Sequence, residues 1–179
     1  MNPNAITTFR LLALVLIILS DHAGLYALAV LFLLLGLFSD FLDGYVSRTF
    51  HQKTDFGAYY DHFVDKIFIH VLLMYYLTQG FLSFWIVSLI ILRDYLVLGF
   101  RQYAISKQHH IPSIFSGKIK LAIQGILLLV IAVARINPSL SSWISPFGVV
   151  VVLWSYISLV DIFHQNKELT KSIKKEFSF

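Results

Sequence analysis

The chain has 179 residues, of which 58% are hydrophobic and only 13% are charged. Soluble domains carry about 25% charged residues, so this composition, with a mean hydropathy of +0.75, excludes an ordinary water-soluble domain. The sixteen Phe and the low charge exclude an intrinsically disordered chain. The absence of cysteine excludes a disulfide-stapled scaffold, a zinc ribbon and a thiol nucleophile.

Six long apolar runs follow one another along the chain, and a membrane-spanning helix needs about 20 such residues. We predict spans at residues 5–19, 24–41, 58–77, 81–105, 118–136 and 143–163. The predicted fold class is therefore an all-α integral membrane protein: a single transmembrane domain over residues 1–179, with six transmembrane helices. Short breaks at 20–22 and 79–80 predict antiparallel hairpins, and a longer connection is predicted at 45–57.

Lys and Arg concentrate on one predicted side of the membrane. Because cytoplasmic loops carry an excess of these residues, we expect a multi-pass protein of the inner membrane with both termini in the cytoplasm. The basic tail, residues 164–179, is expected to lie against anionic lipid headgroups. The first run also resembles a signal peptide, but no A-x-A-like cleavage site follows it, so we expect it to remain as a span.

Acidic residues occur where a plain lipid-facing span would not carry them. Asp40 and Asp43 are three residues apart, and Asp61 and Asp65 are four apart. On a helix, each spacing puts both side chains on one face. Both pairs lie at the predicted cytoplasmic ends of adjacent spans, so four carboxylates are expected to converge. Asp94 and Asp161 also lie within or at the end of spans.

Four carboxylates in a medium of low dielectric repel one another and require protons or cations. Oxygen-only ligation, without Cys, suits Mg²⁺ or Mn²⁺. The alternative is a structural ion-pair network that includes Arg48 and Lys66. Gly44 and Gly57, beside the carboxylates, either let a ligand approach the backbone or serve close helix packing.

The run from Asp40 to Asp65 resembles the signature of the CDP-alcohol phosphatidyltransferases, D-x2-D-G-x2-A-R-x8-G-x3-D-x3-D. Seven of its eight fixed positions match with every spacing kept, and Ser47 replaces the usual Ala. The resemblance implies a six-helix membrane fold, a homodimer, and a site open to the cytoplasm. In that site a divalent metal holds the pyrophosphate of a CDP-linked lipid while an alcohol displaces CMP.

The resemblance also implies roles for individual residues. Metal ligation falls to the four aspartates of the signature, and contact with the CDP moiety falls to Gly44, Arg48 and Gly57. Asp65 is in addition the candidate catalytic base. A carboxylate bound to a metal is a poor proton acceptor, so its role as a base rests on the resemblance alone.

The signature does not identify the acceptor alcohol. Four cations in the fourth and fifth runs are candidates for binding it: Arg93, Arg101, Lys118 and Lys120. Such cations predict a pocket for the phosphate of an acceptor, since Arg binds phosphate bidentately. The alternative for Arg93 is a pair with Asp94 that only stabilises the bundle. His70, inside the third run, is expected to hydrogen-bond across helices.

Three segments resemble the phosphatidylglycerophosphate synthases within the family. Residues 3–10 resemble P-N-x-[LI]-T-x-x-R, residues 93–101 resemble R-E-x4-G-L-R, and residues 117–124 resemble G-K-x-K-T-x2-Q. Asp94 replaces Glu, and Leu121 replaces Thr. The resemblance implies transfer of a phosphatidyl group from CDP-diacylglycerol to sn-glycerol 3-phosphate, with release of CMP and formation of phosphatidylglycerol phosphate.

Two alternatives stay open. A cardiolipin synthase of the same family would use phosphatidylglycerol as the acceptor. A small divalent-cation carrier would also place acidic residues in its spans, although a carrier needs polar groups along a route through the membrane, and these acids concentrate near one face. We expect no nucleic-acid partner.

Overall fold

The computed structural model describes residues 3–50, 55–109, 111–112 and 114–170, without the side chains of residues 3–7, 40–50, 55–59 and 61–62. Over these residues the fold is all-helical, which confirms the all-α part of the predicted class. The described chain forms six α-helices and one short 3-10 helix, in the order α1 (Pro3–His22), α2 (Tyr26–Phe50), α3 (Asp55–Thr78), α4 (Phe84–Ser106), α5 (Phe115–Ala134), the 3-10 helix (Pro138–Leu140) and α6 (Ser141–Gln165).

Each predicted apolar run lies mostly within one α-helix, but two predicted breaks are wrong in extent. Helix α1 continues through the break predicted at 20–22 and ends at His22. Helix α2 reaches Phe50 and α3 begins at Asp55, so both helices extend into the predicted 45–57 connection, of which residues 51–54 are not among the described residues. Hydropathy marks the end of an apolar run, whereas backbone hydrogen bonding continues through the polar residues beyond it.

Two glycines end helices at the tight turns. Gly24, after α1, has φ +76°, and Gly80, after α3, has φ +80°, a left-handed conformation that glycine adopts without a steric penalty. At both sites the next N–H donates back to the helix, from Leu25 to the Ser20 carbonyl (2.8 Å) and from Phe81 to the Tyr76 carbonyl (3.0 Å). This closure terminates each helix and returns the chain alongside it.

The helices pack as two groups that meet along the middle of the bundle. Helix α1 packs against α2 and α3, and α6 packs against α4 and α5. The groups join through contacts of α5 with α2 and α3, and of α3 with α4. The chain reversals place the ends of α4 and α6 beside the starts of α3 and α5. We call this the carboxylate end of the bundle, because the first half of α3 carries Asp61 and Asp65 there.

The bundle is apolar outside and partly polar inside. Large apolar side chains are exposed on all six α-helices, among them Trp85 at 72% and Phe115 at 75%. In contrast, Arg10 is 1% exposed and Asp94 is 3% exposed. Water-soluble monomers rarely expose large contiguous apolar patches, so this inversion suits a lipid environment. Two described helical stretches, Phe115–Ala134 and Pro138–Gln165, are long and apolar enough to cross a membrane, each with a mean hydropathy of 1.9.

A cluster of polar side chains lies at the opposite end of the bundle. Asp21 accepts hydrogen bonds from Arg135 Nε (3.1 Å) and from the Tyr75 hydroxyl (2.7 Å). The Arg135 guanidinium also stacks on the ring of Tyr26, 4.6 Å from its centroid. These contacts tie together the ends of α1, α3 and α5. An apolar layer separates this cluster from the carboxylate end, and its fully buried members include Leu72, Leu73, Ile90, Leu127, Leu128 and Ile131.

Candidate active site

A cavity of about 230 Å³ lies between α3, α4, α5 and α6 near the carboxylate end. It is lined by Asp65, Lys66, Ile69, Arg93, Asp94, Val97, Arg101, Ile114, Gly117, Lys118, Lys120, Leu121, Gln124 and Ile162. Five of these residues are Lys or Arg and two are Asp. A cavity with an excess of positive charge between low-dielectric walls attracts anions, so the electrostatics favour an anionic ligand.

Asp94 is the centre of the charged network around the cavity. Its Oδ1 accepts from Arg93 Nη1 at 2.9 Å, and Lys120 Nζ donates to Oδ1 at 2.5 Å and to Oδ2 at 2.6 Å. His70 Nε2 lies 3.1 Å from Oδ2, which is the interhelical hydrogen bond expected of His70. An ionised carboxylate offers about four acceptor sites. These four contacts use them, so Asp94 has no acceptor site left for a metal.

Arg93 is held by helix α6 as well as by Asp94. Its Nε donates to the Ser155 carbonyl at 2.9 Å, and Nη2 donates to Ser158 Oγ at 2.8 Å. The pair of Arg93 with Asp94 that the sequence suggested as an alternative is therefore present, and Arg93 also joins α4 to α6. Buried charges are stable only when they are paired and hydrogen-bonded. Arg93 accordingly fixes α4 against α6 and forms part of the cavity wall.

Asp65 lies at the cavity edge and forms an ion pair with Arg10 of α1. Arg10 is itself buried, and its Nε lies 3.4 Å from Ser39 Oγ, which donates to the Gly36 carbonyl at 2.7 Å. The ion pair engages Asp65 Oδ1. A carboxylate has two oxygens, and among the described residues only Oδ1 is engaged, so Arg10 sets the orientation of the side chain.

The first turn of α5 is held by α6. Asp161 accepts from Ser116 Oγ at 2.5 Å, and Trp154 Nε1 donates to the Ser116 carbonyl at 3.2 Å. Ser116 directly precedes Gly117 and Lys118, which line the cavity. These contacts fix the position of the helix start that carries Lys118, and they explain an acidic residue for which the sequence indicated no role.

The structure brings five of the predicted site residues to one cavity: Asp65, Arg93, Arg101, Lys118 and Lys120. The other six lie in helices as far as the backbone is concerned. Helix α2 runs through Asp40, Asp43, Gly44 and Arg48, and α3 runs through Gly57 and Asp61. Their side chains lie outside the described residues, so the predicted convergence of the four carboxylates stays a prediction.

A divalent metal was predicted at the same carboxylates. Among the described side chains, no group of three or more His, Asp or Glu is placed to hold an ion. The donor set still suits a hard cation, since both signature segments have the helical backbone on which the three- and four-residue spacings depend. Asp65, the described member, keeps one carboxylate oxygen for such a role. The residues that would hold the metal are Asp40, Asp43, Asp61 and Asp65.

Sequence reasoning gave no site role to several residues of the cavity and its supports. The sequence indicates Lys66 only as a counter-ion and Gln124 only as part of a motif. It indicates no role for Ser155 and Ser158, which lie in a run that is distinguished by hydropathy alone. Their three-residue spacing within an apolar run was the available signal, since polar residues in a membrane helix face neighbouring helices.

Comparison with known proteins identifies the family. The family model described as CDP-alcohol phosphatidyltransferase matches residues 1–154. The chain is 25% identical over 166 residues to a CDP-diacylglycerol--glycerol-3-phosphate 3-phosphatidyltransferase of Rickettsia felis, which covers 86% of this chain and 92% of that protein.

Two further relatives carry the same name. The protein of Wigglesworthia glossinidia brevipalpis is 33% identical over 132 residues, covering 68% of this chain and 71% of that protein. The protein of Mycoplasma pneumoniae is 35% identical over 108 residues, which is 60% of this chain and 47% of that protein; the match thus spans about half the length of this relative. The family resemblance read from the signature is confirmed, and the chain belongs to the CDP-alcohol phosphatidyltransferase family.

Proposed function

We propose that this membrane protein transfers a phosphatidyl group from CDP-diacylglycerol to sn-glycerol 3-phosphate, the phosphatidylglycerophosphate synthase reaction of phospholipid biosynthesis. The observation that carries the proposal is that Arg93, Arg101, Lys118 and Lys120 line one cavity together with Asp65. The names of the relatives from three bacteria agree with it. In the reaction, a hydroxyl oxygen of the acceptor forms a bond to the lipid-side phosphorus, the bond to the bridging oxygen breaks, and CMP leaves.

The cavity suits a small phosphate-bearing acceptor. Ligand pockets for drug-sized molecules measure about 300–1,000 Å³, so a volume of about 230 Å³ fits a compact polar molecule. Arg101 and Lys118 line the cavity beside Arg93 and Lys120, and we assign them to the acceptor phosphate because Arg binds phosphate bidentately and Lys binds it as a point charge. Phosphatidylglycerol, the acceptor of the cardiolipin alternative, would need a groove for two acyl chains beyond this cavity.

The donor side of the site rests on the signature residues. The family uses a divalent metal, Mg²⁺ or Mn²⁺ by the chemistry of the donors. When bound, such a metal neutralises charge on the pyrophosphate oxygens. We propose Asp40, Asp43, Asp61 and Asp65 as its ligands and Gly44, Arg48 and Gly57 as contacts of the CDP moiety. Asp65 is also the candidate base for the acceptor proton, oriented by Arg10.

The membrane arrangement follows from the charge distribution. We propose that the six α-helices cross the inner membrane, with both termini and the carboxylate end on the cytoplasmic side, where Lys and Arg are concentrated. Two copies would form a homodimer, as the family resemblance implies. The carrier alternative is disfavoured, because the apolar layer that includes Leu72, Leu73 and Leu128 separates the two polar clusters and interrupts any continuous polar route.

The acceptor is tested by CMP release from CDP-diacylglycerol with purified protein and a panel of acceptors. We expect release with glycerol 3-phosphate and Mg²⁺ or Mn²⁺, little release with phosphatidylglycerol, inositol phosphate or serine, and none after chelation of the metal. Release with phosphatidylglycerol alone would identify a cardiolipin synthase. Metal flux into vesicles without CMP release from any acceptor would identify a carrier.

The acceptor pocket is tested by Arg101→Ala. Loss of a charge-assisted contact to phosphate is expected to lower kcat/KM for glycerol 3-phosphate about 10- to 100-fold, mainly through KM, with the KM for CDP-diacylglycerol nearly unchanged. Lys107→Ala is the matched control, because it removes an exposed cation near the end of the same helix that does not line the cavity. An unchanged KM for glycerol 3-phosphate in Arg101→Ala would refute the pocket assignment.

The metal site is tested by Asp43→Asn and Asp61→Asn. Each removes one proposed metal ligand, and we expect turnover to fall at least about 100-fold while the protein keeps its apparent melting temperature in detergent. Glu168→Gln makes the same carboxylate-to-amide change at an exposed residue that does not line the cavity and should retain activity. Near-normal turnover in both signature variants would show that these carboxylates do not hold an essential metal.

A further inference from the structure

Gln124 is a buried amide without a partner in the wall of the cavity. It lies on α5, one turn after Lys120, and its side chain is completely buried. Neither Oε1 nor Nε2 has a hydrogen-bond partner among the residues that the structure describes. It lines the same cavity as Lys120 and Arg101. Gln124 is therefore a buried polar group in the cavity wall that has no hydrogen-bond partner among the described residues.

An unpaired amide is unfavourable in this position unless something binds it. A buried donor or acceptor without a partner keeps the full desolvation penalty, and buried polar groups in native proteins are nearly always hydrogen-bonded. A leucine or methionine would fill the same place in an apolar helix without that penalty. The amide thus indicates a partner that enters the cavity from outside the protein.

The chemistry of the amide specifies the kind of group that it would bind. A glutamine offers a carbonyl acceptor and an NH₂ donor but no charge, so it adds little to binding of a phosphate already faced by several cations. A hydroxyl both donates and accepts, and one amide can satisfy it in both senses. The complementary partner of Gln124 is therefore a neutral hydroxyl on a molecule whose phosphate lies among the cations.

Glycerol 3-phosphate carries such a hydroxyl. Its C1 hydroxyl attacks phosphorus, which leaves the C2 hydroxyl unreacted. Building on the proposed function, we propose that Gln124 binds the C2 hydroxyl of glycerol 3-phosphate and is a specificity-determining residue for the acceptor. A site built to hydrogen-bond a hydroxyl discriminates strongly against an analogue that lacks it, because the buried amide is then left unpaired.

The test compares glycerol 3-phosphate with 3-hydroxypropyl phosphate, which keeps the phosphate and the terminal hydroxyl but lacks the C2 hydroxyl. The wild-type protein is expected to prefer glycerol 3-phosphate about 10- to 100-fold in kcat/KM. In Gln124→Leu and Gln124→Met, kcat/KM for glycerol 3-phosphate should fall by a similar factor. The value for 3-hydroxypropyl phosphate should stay within about twofold, so that the preference disappears.

The control is Tyr76→Phe. The Tyr76 hydroxyl is also buried without a partner among the described residues, but Tyr76 does not line the cavity and packs edge-on against Phe81. This variant removes the same kind of unpaired polar atom away from the site. It should leave the preference between the two acceptors at the wild-type value.

Several outcomes would overturn the inference. Equal losses with both acceptors in the Gln124 variants would assign Gln124 to structure or to a bound water. A wild-type preference near one would overturn the inference without any variant, including the case in which neither variant folds. The proposed function fails separately, if wild-type protein releases no CMP with glycerol 3-phosphate.

Discussion

The site depends on one buried carboxylate. Asp94 accepts hydrogen bonds from Arg93, Lys120 and His70, and it thereby joins α3, α4 and α5. Arg93 extends the same network to α6. A buried charge is stable only when it is paired and hydrogen-bonded, so each member of the network is stable in the bundle only through the others.

This constraint divides the cations of the cavity into two kinds. Arg93 and Lys120 both donate to Asp94, whose single negative charge offsets one of their two positive charges, and these contacts join α4, α5 and α6. Lys66, Arg101 and Lys118 complete the wall and supply the excess positive charge. Arg10 of α1 forms an ion pair with Asp65 of α3 and thereby orients that carboxylate. A rigid charged frame of this kind presents fixed donors to an anion without reorganisation, which is the condition for electrostatic stabilisation of a transferring phosphoryl group.

Much of this arrangement could be predicted from the sequence, because apolar runs indicate helices and misplaced charges indicate a site. The four candidate cations share one cavity as expected, and His70 bonds across helices. Helix ends were predicted less well. Helix α1 continues through Asp21, and α2 and α3 extend to Phe50 and from Asp55, beyond the ends of the apolar runs. The contacts of Ser155 and Ser158 with Arg93 join residues more than 60 positions apart, and hydropathy carries no information on such pairing. That Gln124 has no partner among the described residues is visible only in the three-dimensional structure.

The most direct test of the central claim is a crystal structure of the protein with glycerol 3-phosphate and Mg²⁺ bound. The account predicts the phosphate within hydrogen-bonding distance, about 2.7–3.2 Å, of Arg101 and Lys118, in the cavity framed by the Asp94 network. A phosphate bound elsewhere in the protein, with solvent alone between these two cations, would contradict it.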